Sequence, residues 1–518
     1  MRNTWYLIVS VIFLFLMTVS VFAQNGSGDL KFGYVYLDED GNKSVNQSSF
    51  NRYDGLNVSL DKFRYRLGNG IQFRADLKNI SLKNRNLSFS VLKSGLFGAD
   101  FRTSQFRRIY DFEGDKYTHR NLTSGGLWFY PQRFIKMYAS GSFNNITGTT
   151  EDLFNTTLID LPDEIDYKQQ KYTIGTQFNY QGRMIQAEYN TISYTDKNIE
   201  SKDQTRQNIK LNAALIIPKF EWLQLFGGYQ QFKTEYRDTE FGLKSTTARG
   251  GAGVSLPYNF AVKYDIFFNR AGSDSDFVET DNIAQAVYLS YLKPRLIGIT
   301  VGYQNDVNDD YEDSFKSNSY YFAGLLYPSS QSEIRGEFGI RAEEVDQGSR
   351  LVGNEDRSKY KISGKYKLSG NSSFGIKYEA RKRKNEQIGS ETDFNRIAVE
   401  SNLGSAKFGR LTAGYSYAVG NYKNDEQEFE FADHQVHLDM NSAEFKKLVG
   451  GFGLTYYRSQ RDLDIESVGL RFIGGYKLAG DYRIEAIYNV YNFDDLLAIN
   501  QYYTENIVEF NIIKKFSL

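Results

Sequence analysis

The chain has 518 residues, a formal net charge of −1 and no cysteine. That balance lacks the counterion-release footprint of a nucleic-acid binder, and without cysteine the chain holds neither disulfides nor covalently attached c-type haem. Only 41% of residues are hydrophobic, while 39 Tyr and 39 Phe against 6 Pro point to aromatic-rich β-structure rather than to several soluble domains.

The first residues read as an export signal. Arg2 supplies a positive charge, residues 6–21 form an apolar run, and Val21-Phe22-Ala23 offers a small-residue cleavage pattern before Gln24. We assign residues 1–23 to a cleaved signal peptide and residues 24–518 to one mature unit. A retained membrane anchor is the competing reading of the same run. No later stretch is long and apolar enough for a membrane helix, so an exported chain of this composition would cross a bilayer only as strands.

Strand patterns follow along the whole chain. Ile71, Phe73, Ala75 and Leu77 alternate with Gln72, Arg74, Asp76 and Lys78. Phe260, Val262, Tyr264, Ile266 and Phe268 alternate with Ala261, Lys263, Asp265, Phe267 and Asn269. Ile334, Gly336, Phe338 and Ile340 alternate with Arg335, Glu337, Gly339 and Arg341, and Val436, Leu438 and Met440 with His437 and Asp439. Period-2 alternation places one set on each face of a strand. The expected lipid-facing set is Phe260, Val262, Tyr264, Ile266 and Phe268. The expected lumen-facing set is Arg74, Asp76, Lys263, Asp265, Arg335, Glu337, His437 and Asp439.

Punctuation between strands is regular. Pro131, Pro218, Pro257, Pro294 and Pro328 each follow an aromatic or aliphatic strand end, and Gly370, Gly404 and Gly480 take over that place later in the chain. The recurrence is roughly 38 residues, with polar, more variable connections midway. A soluble propeller has a similar period but fits four shorter strands into it. Two strands per beat predict a single all-β chain, a large transmembrane antiparallel β-barrel of about 26 strands, range 22–28. Such a barrel has a lumen on the order of 40 Å wide. The longest irregular stretches, near residues 146–167 and 341–359, are too short to fill it.

Candidate chemistry is sparse. His434 and His437 fall on opposite faces of one strand and cannot share a metal. His437 beside Asp433 and Asp439 could serve hydrolysis, against the plainer reading of a hydrated wall residue. Asp306-Val-Asn-Asp-Asp310-Tyr-Glu312 spaces oxygens like a calcium loop but has Tyr311 where glycine is needed. Gly250-Gly-Ala-Gly253 and Gly450-Gly-Phe-Gly453 lack the following helix that phosphate binding uses. The chain reads as a non-enzyme with no catalytic, cofactor or metal residues of its own.

Phe50-Asn-Arg-Tyr-Asp-Gly-Leu56, the charged strand at 71–77, Arg107-Arg-Ile-Tyr-Asp-Phe-Glu-Gly114, His119-Arg120 and Trp128-Phe-Tyr-Pro131 resemble the N-terminal third of the MtrB/PioB family of outer-membrane barrels. Beyond residue 140 the likeness is strand rhythm and size. The Cys-x-x-Cys of some members is absent. The resemblance implies a sheath for a multihaem c-type cytochrome in electron transfer across the outer membrane of a Gram-negative-type bacterium, with haem carried only by the partner. Membrane lipid is the other expected partner and nucleic acid is excluded. A diffusion porin, or a substrate-selective channel or exporter, is the alternative.

Overall fold

The computed structural model describes residues 26–45, 50–150, 163–237, 242–273, 279–310, 314–347, 355–386, 388–445, 447–498 and 501–517. The expected signal segment, residues 1–23, lies outside them. Nearly every described residue belongs to one antiparallel sheet of 26 strands.

The strands run in chain order. The first seven are β1 (Gly26–Gly41), β2 (Gly55–Arg66), β3 (Ile71–Lys78), β4 (Asn86–Lys93), β5 (Phe97–Ile109), β6 (Tyr117–Gln132) and β7 (Ile135–Thr150). Then come β8 (Asp163–Tyr180), β9 (Arg183–Asp196), β10 (Gln204–Ile217), β11 (Phe220–Tyr236), β12 (Gly242–Ser255) and β13 (Phe260–Ser273). They continue with β14 (Glu279–Lys293), β15 (Ile297–Asp310), β16 (Ser314–Ser329), β17 (Ser332–Gln347), β18 (Glu355–Ser369) and β19 (Ser372–Asn385). The last seven are β20 (Ser390–Ser405), β21 (Gly409–Lys423), β22 (Glu428–Ser442), β23 (Leu448–Arg461), β24 (Ile465–Lys477), β25 (Tyr482–Asp495) and β26 (Tyr502–Ser517).

Each strand pairs with its predecessor, and β1 pairs with β26 from Ser27↔Ser517 to Gly41↔Tyr503, so the sheet closes on itself. Closure removes every edge, the one way a sheet satisfies its backbone in hydrocarbon. Summed round the wall, the register offsets amount to 26 residues, equal to the strand number. Equal stagger and number give a strand tilt of roughly 35° and a backbone diameter of roughly 50 Å.

The two ends differ. At one end two- to five-residue turns join the strands, with positive φ at Gln181 and Gly182 (49° and 75°), at Lys219 (73°) and at Arg295 (61°). Paired positive φ at Gln181-Gly182 is the mirror-image turn whose twist matches a hairpin. At the other end most connections are longer, the greatest covering residues 42–54 and 151–162, although 311–313 and 462–464 span only three residues each. Short turns mark the periplasmic side of such barrels and long loops the outside.

Most strands have 14 to 16 residues, longer than a bilayer crossing of about ten needs. Of the stretches 146–167 and 341–359, expected to be irregular, residues 151–162 and 348–354 lie outside the described residues, and the rest are the outer ends of β7, β8, β17 and β18. Both faces there are polar, as in Asn305, Asp306, Asn308 and Asp309, so alternation fades while the ladder continues. These ends form a polar collar above the membrane. β3 and β4, at 8 residues each, are the exception.

Candidate functional site: the lumen wall and its outer clasp

Residues directly opposite across a ladder share a face. Lys263 pairs with Tyr288, Tyr288 with Gly302, Gly302 with Tyr321, Tyr321 with Gly339, Gly339 with Lys359, and Lys359 with Arg381. This set crowds together: Ser317 and Asn511 are 0% and 1% exposed, and Asp306, Glu355, Glu379 and Ser459 are buried too. The opposite set splays apart and carries the exposed large apolar residues, Phe260, Tyr264, Ile266, Val301, Phe322, Ile362 and Phe510 among them. Side chains converge inside a closed curved wall and diverge outside it. The concave face is therefore polar and the convex face apolar, the inverse of a soluble core.

Phe260, Val262, Tyr264, Ile266 and Phe268 all lie on the convex face. Arg74, Asp76, Lys263, Asp265, Arg335, Glu337, His437 and Asp439 all lie on the concave face. Lys263 bonds Asp265 at 2.6 Å and sits over the rings of Phe226 and Tyr288. Arg335 pairs with Glu333, Glu337 approaches Lys361 at 3.9 Å, and Arg471 bridges to Asp439. The His437 ring lies against Gly414, where any Cβ would come within 2.1 Å of it. His434 sits on the convex face, 2.9 Å from the Tyr415 hydroxyl. Phe267 joins the polar set, lining a concave depression with Asp265, Asp306 and Arg341. Among the described residues no group of three His, Cys, Asp or Glu is placed to hold a metal.

Convex tyrosines mark the outer edge of the apolar belt. Tyr303 donates to Asn318 (2.7 Å), Tyr378 to Asn395 (2.9 Å) and Tyr488 to Asn506 (3.1 Å), each diagonally across a ladder. At the short-turn edge Phe260 packs on Tyr291 and Phe220 on Trp222. Lys514, which interrupts the apolar alternation of β26, lies over Tyr482 and donates to the Gly480 carbonyl in a short turn. Its charge reaches the interface while its stem covers apolar surface.

The N-terminal motifs meet in space. Arg107 of β5 donates to the Phe50 carbonyl (2.7 Å) and the Arg52 carbonyl (3.1 Å) and stacks on Tyr53 at 4.6 Å. Asn51 donates to the Gln105 carbonyl, and Asn84 donates to that of Asn51. Phe50 is buried beneath this contact and His119 lies opposite Arg107. Burial raises the Tyr53 phenol above its usual range, and the Arg107 charge opposes that rise. The segment after β1 thus clasps the outer end of β5, beside the short hairpin β3–β4.

Charge on the concave wall is uneven, although the sequence suggests balance. β17 to β20 point Arg335, Arg341, Arg357, Lys359, Lys361, Lys365, Lys367, Lys377, Arg381, Arg383 and Arg396 inward. The acids facing them are fewer: Glu333, Glu337, Glu343, Glu355, Glu379 and Glu400. Toward the collar Glu355, 1% exposed, is held between Arg357 and Arg383. Toward the short turns the cations surround grooves of about 470 and 710 Å³. Composition could not show this sector, because only the register brings these side chains to one patch.

The structure resembles the siderophore receptor PirA from Pseudomonas aeruginosa at TM-score 0.50 and 12% identity, over 81% of this chain and 80% of that one. It also resembles the ferric enterobactin receptor PfeA of the same organism at TM-score 0.51 and 9% identity, over 95% of this chain and 80% of that one. The chain is an outer-membrane β-barrel. Its apolar convex belt and this likeness place it in the outer membrane of a Gram-negative-type bacterium. No protein-family model matches the chain and no curated protein matches it. At these identities the likeness is one of fold, and the convex wall of such a barrel contacts membrane lipid.

Proposed function

We propose that this barrel is a sheath, carrying a separately folded exported protein through the outer membrane. One observation carries the reading. The 26 strands enclose a bore on the order of 40 Å, and among the described strands the extensive contacts all run between neighbours round the wall. Outer-membrane barrels of 22 strands have a plugged lumen. A wider bore without an occupant would breach the barrier that the membrane provides. The polar concave wall suits a folded soluble surface, held by many weak contacts that can each stay hydrated.

Within that reading, a multihaem c-type cytochrome is the occupant we favour, supported by the resemblance of the 50–56 and 107–131 segments to the MtrB/PioB barrels. The barrel would insulate and position the haem chain, and the electrons would travel on the partner's cofactors. Purification in mild detergent from the native membrane tests this. A stoichiometric, haem-staining companion is expected. A colourless barrel with large, steady conductance in planar bilayers would overturn the reading in favour of a diffusion pore, which the basic sector would bias toward anions.

A further inference from the structure

The basic sector has a finer structure near the periplasmic mouth. Arg335, Ser363, Lys377 and Ala398 form one row of direct partners across β17 to β20. The row nearer the short turns is Glu333, Lys365, Gly375 and Glu400. Small residues thus make the floor of the 470 Å³ groove, and Arg335, Lys365, Lys377 and Arg396 stand round its rim with Glu333 and Glu400.

Some of these cations are already matched. Arg335 is 2.5 Å from Glu333, and Lys377 is 2.9 Å from Glu379. Others are not. Among the described residues Lys365, Lys367, Arg396 and Arg410 have no carboxylate in ion-pair range; Arg396 donates only to Ser416 (3.3 Å) and Arg410 to Asn402 (3.1 Å). These four charges spread over two adjoining grooves on β18 to β21, a width of about 15 Å at the ordinary strand spacing. That is the scale of a protein surface patch. A small anion is gripped by converging groups, whereas this patch is open and its cations stand apart.

We propose that the protein carried in the bore docks an acidic face on this patch, with Lys365, Lys367, Arg396 and Arg410 as its anchors. The inference rests on the sheath reading and specifies one property of the occupant. An occupant arriving from the periplasm meets this end of the wall first, so the same cations steer and orient it before contact. The rest of the bore, where acids and bases mix, then fixes less of its orientation.

The test uses the full-length barrel purified from its native membrane. A variant carrying K365E, K367E, R396E and R410E is compared with a control reversing Lys171→Glu and Lys210→Glu elsewhere on the concave wall. Heat-modifiable migration on gels confirms that both barrels are closed. We expect the first variant to retain about tenfold less haem-staining companion, and the control to retain wild-type amounts. Companion retained by the first variant, or lost equally by both, overturns the docking patch and leaves the sheath standing. No companion in the wild type overturns both. Release of the companion by millimolar pyrophosphate at constant ionic strength, with chloride inert, would reassign the patch to a small phosphate ligand.

Discussion

The Tyr303 hydroxyl donates to the Asn318 side chain at 2.7 Å, reaching diagonally from β15 to β16 on the convex face. Tyr303 also packs its ring against Tyr320, 5.3 Å between centroids. The ring sits at the edge of hydrocarbon and the hydroxyl points to the first polar position above it. Tyr378–Asn395 and Tyr488–Asn506 repeat the arrangement. The repeat marks where the bilayer ends and the collar begins. Substituting Tyr303→Phe removes the hydrogen bond and keeps the ring, so a loss of about 0.5–1.5 kcal/mol is expected. Tyr303→Ala should cost more, because the interfacial ring goes too. Urea unfolding from lipid vesicles measures both. Equal losses would show that the hydroxyl alone matters.

Arg107 ties together segments that the sequence keeps far apart. Its side chain uses two carbonyls of the 50–52 segment and the Tyr53 ring. Arg107→Ala leaves those carbonyls to water and frees the loop, while the pairing of β5 with β4 and β6 stays intact. Arg107→Lys cannot reproduce the two-carbonyl fork and should rescue only in part. Limited proteolysis of intact cells is the readout. Cleavage between residues 42 and 54 should accelerate about tenfold in the alanine variant, with barrel migration on gels unchanged. Collapse of the barrel itself would mean that the clasp is needed for folding.

Much of the fold is legible in residues such as Phe260 to Phe268, where alternation shows a strand and its apolar face. The strand number follows from the rhythm of the turns. The collar is not legible, because Asn305 and Asp309 on one face and Asp306 and Asn308 on the other are all polar, and hydrogen-bonded ladders do not require an apolar face. The Arg107 clasp is equally silent, since nothing local in Phe50 or Arg107 names its partner. Neither is the basic sector visible in a net charge of −1. Lys365 and Arg396 look like ordinary alternating polar residues until the register sets their strands side by side.

Glu355 anchors the collar end of that sector. Its carboxylate, 1% exposed, receives Arg357 and Arg383, and both guanidiniums remain about half exposed. Glu355→Gln keeps the shape and removes the charge, leaving two cations to repel one another over a neutral amide. A loss of about 1–3 kcal/mol is expected, reduced by water around the arginines and shrinking further at high salt. Adding Arg383→Met to Glu355→Gln removes the repulsion and should restore part of the loss. Urea midpoints of Glu355→Gln, Arg383→Met and the double variant at low and high salt test this. An additive double variant would mean that the three groups are not coupled.

Ile266 and Asp265 are neighbours in sequence on opposite faces of the wall, so the same substitution at each separates lipid from water. Ile266 lies in the convex belt between Tyr264 and Phe268, and Asp265 lies in the bore bonded to Lys263. Ile266→Arg puts a guanidinium on the lipid side of the wall, a change that costs about 2–4 kcal/mol at the midplane of transmembrane barrels and less toward the interface. Asp265→Arg places the same group in a hydrated lumen. Its cost is the lost pair with Lys263, a half-exposed contact of about 1 kcal/mol or less, together with like-charge repulsion that salt screens. Unfolding from lipid vesicles should therefore rank wild type, Asp265→Arg and Ile266→Arg in falling stability, and raised salt should narrow only the first gap. The reverse ranking would place the charged face against lipid and remove the basis for an occupied bore.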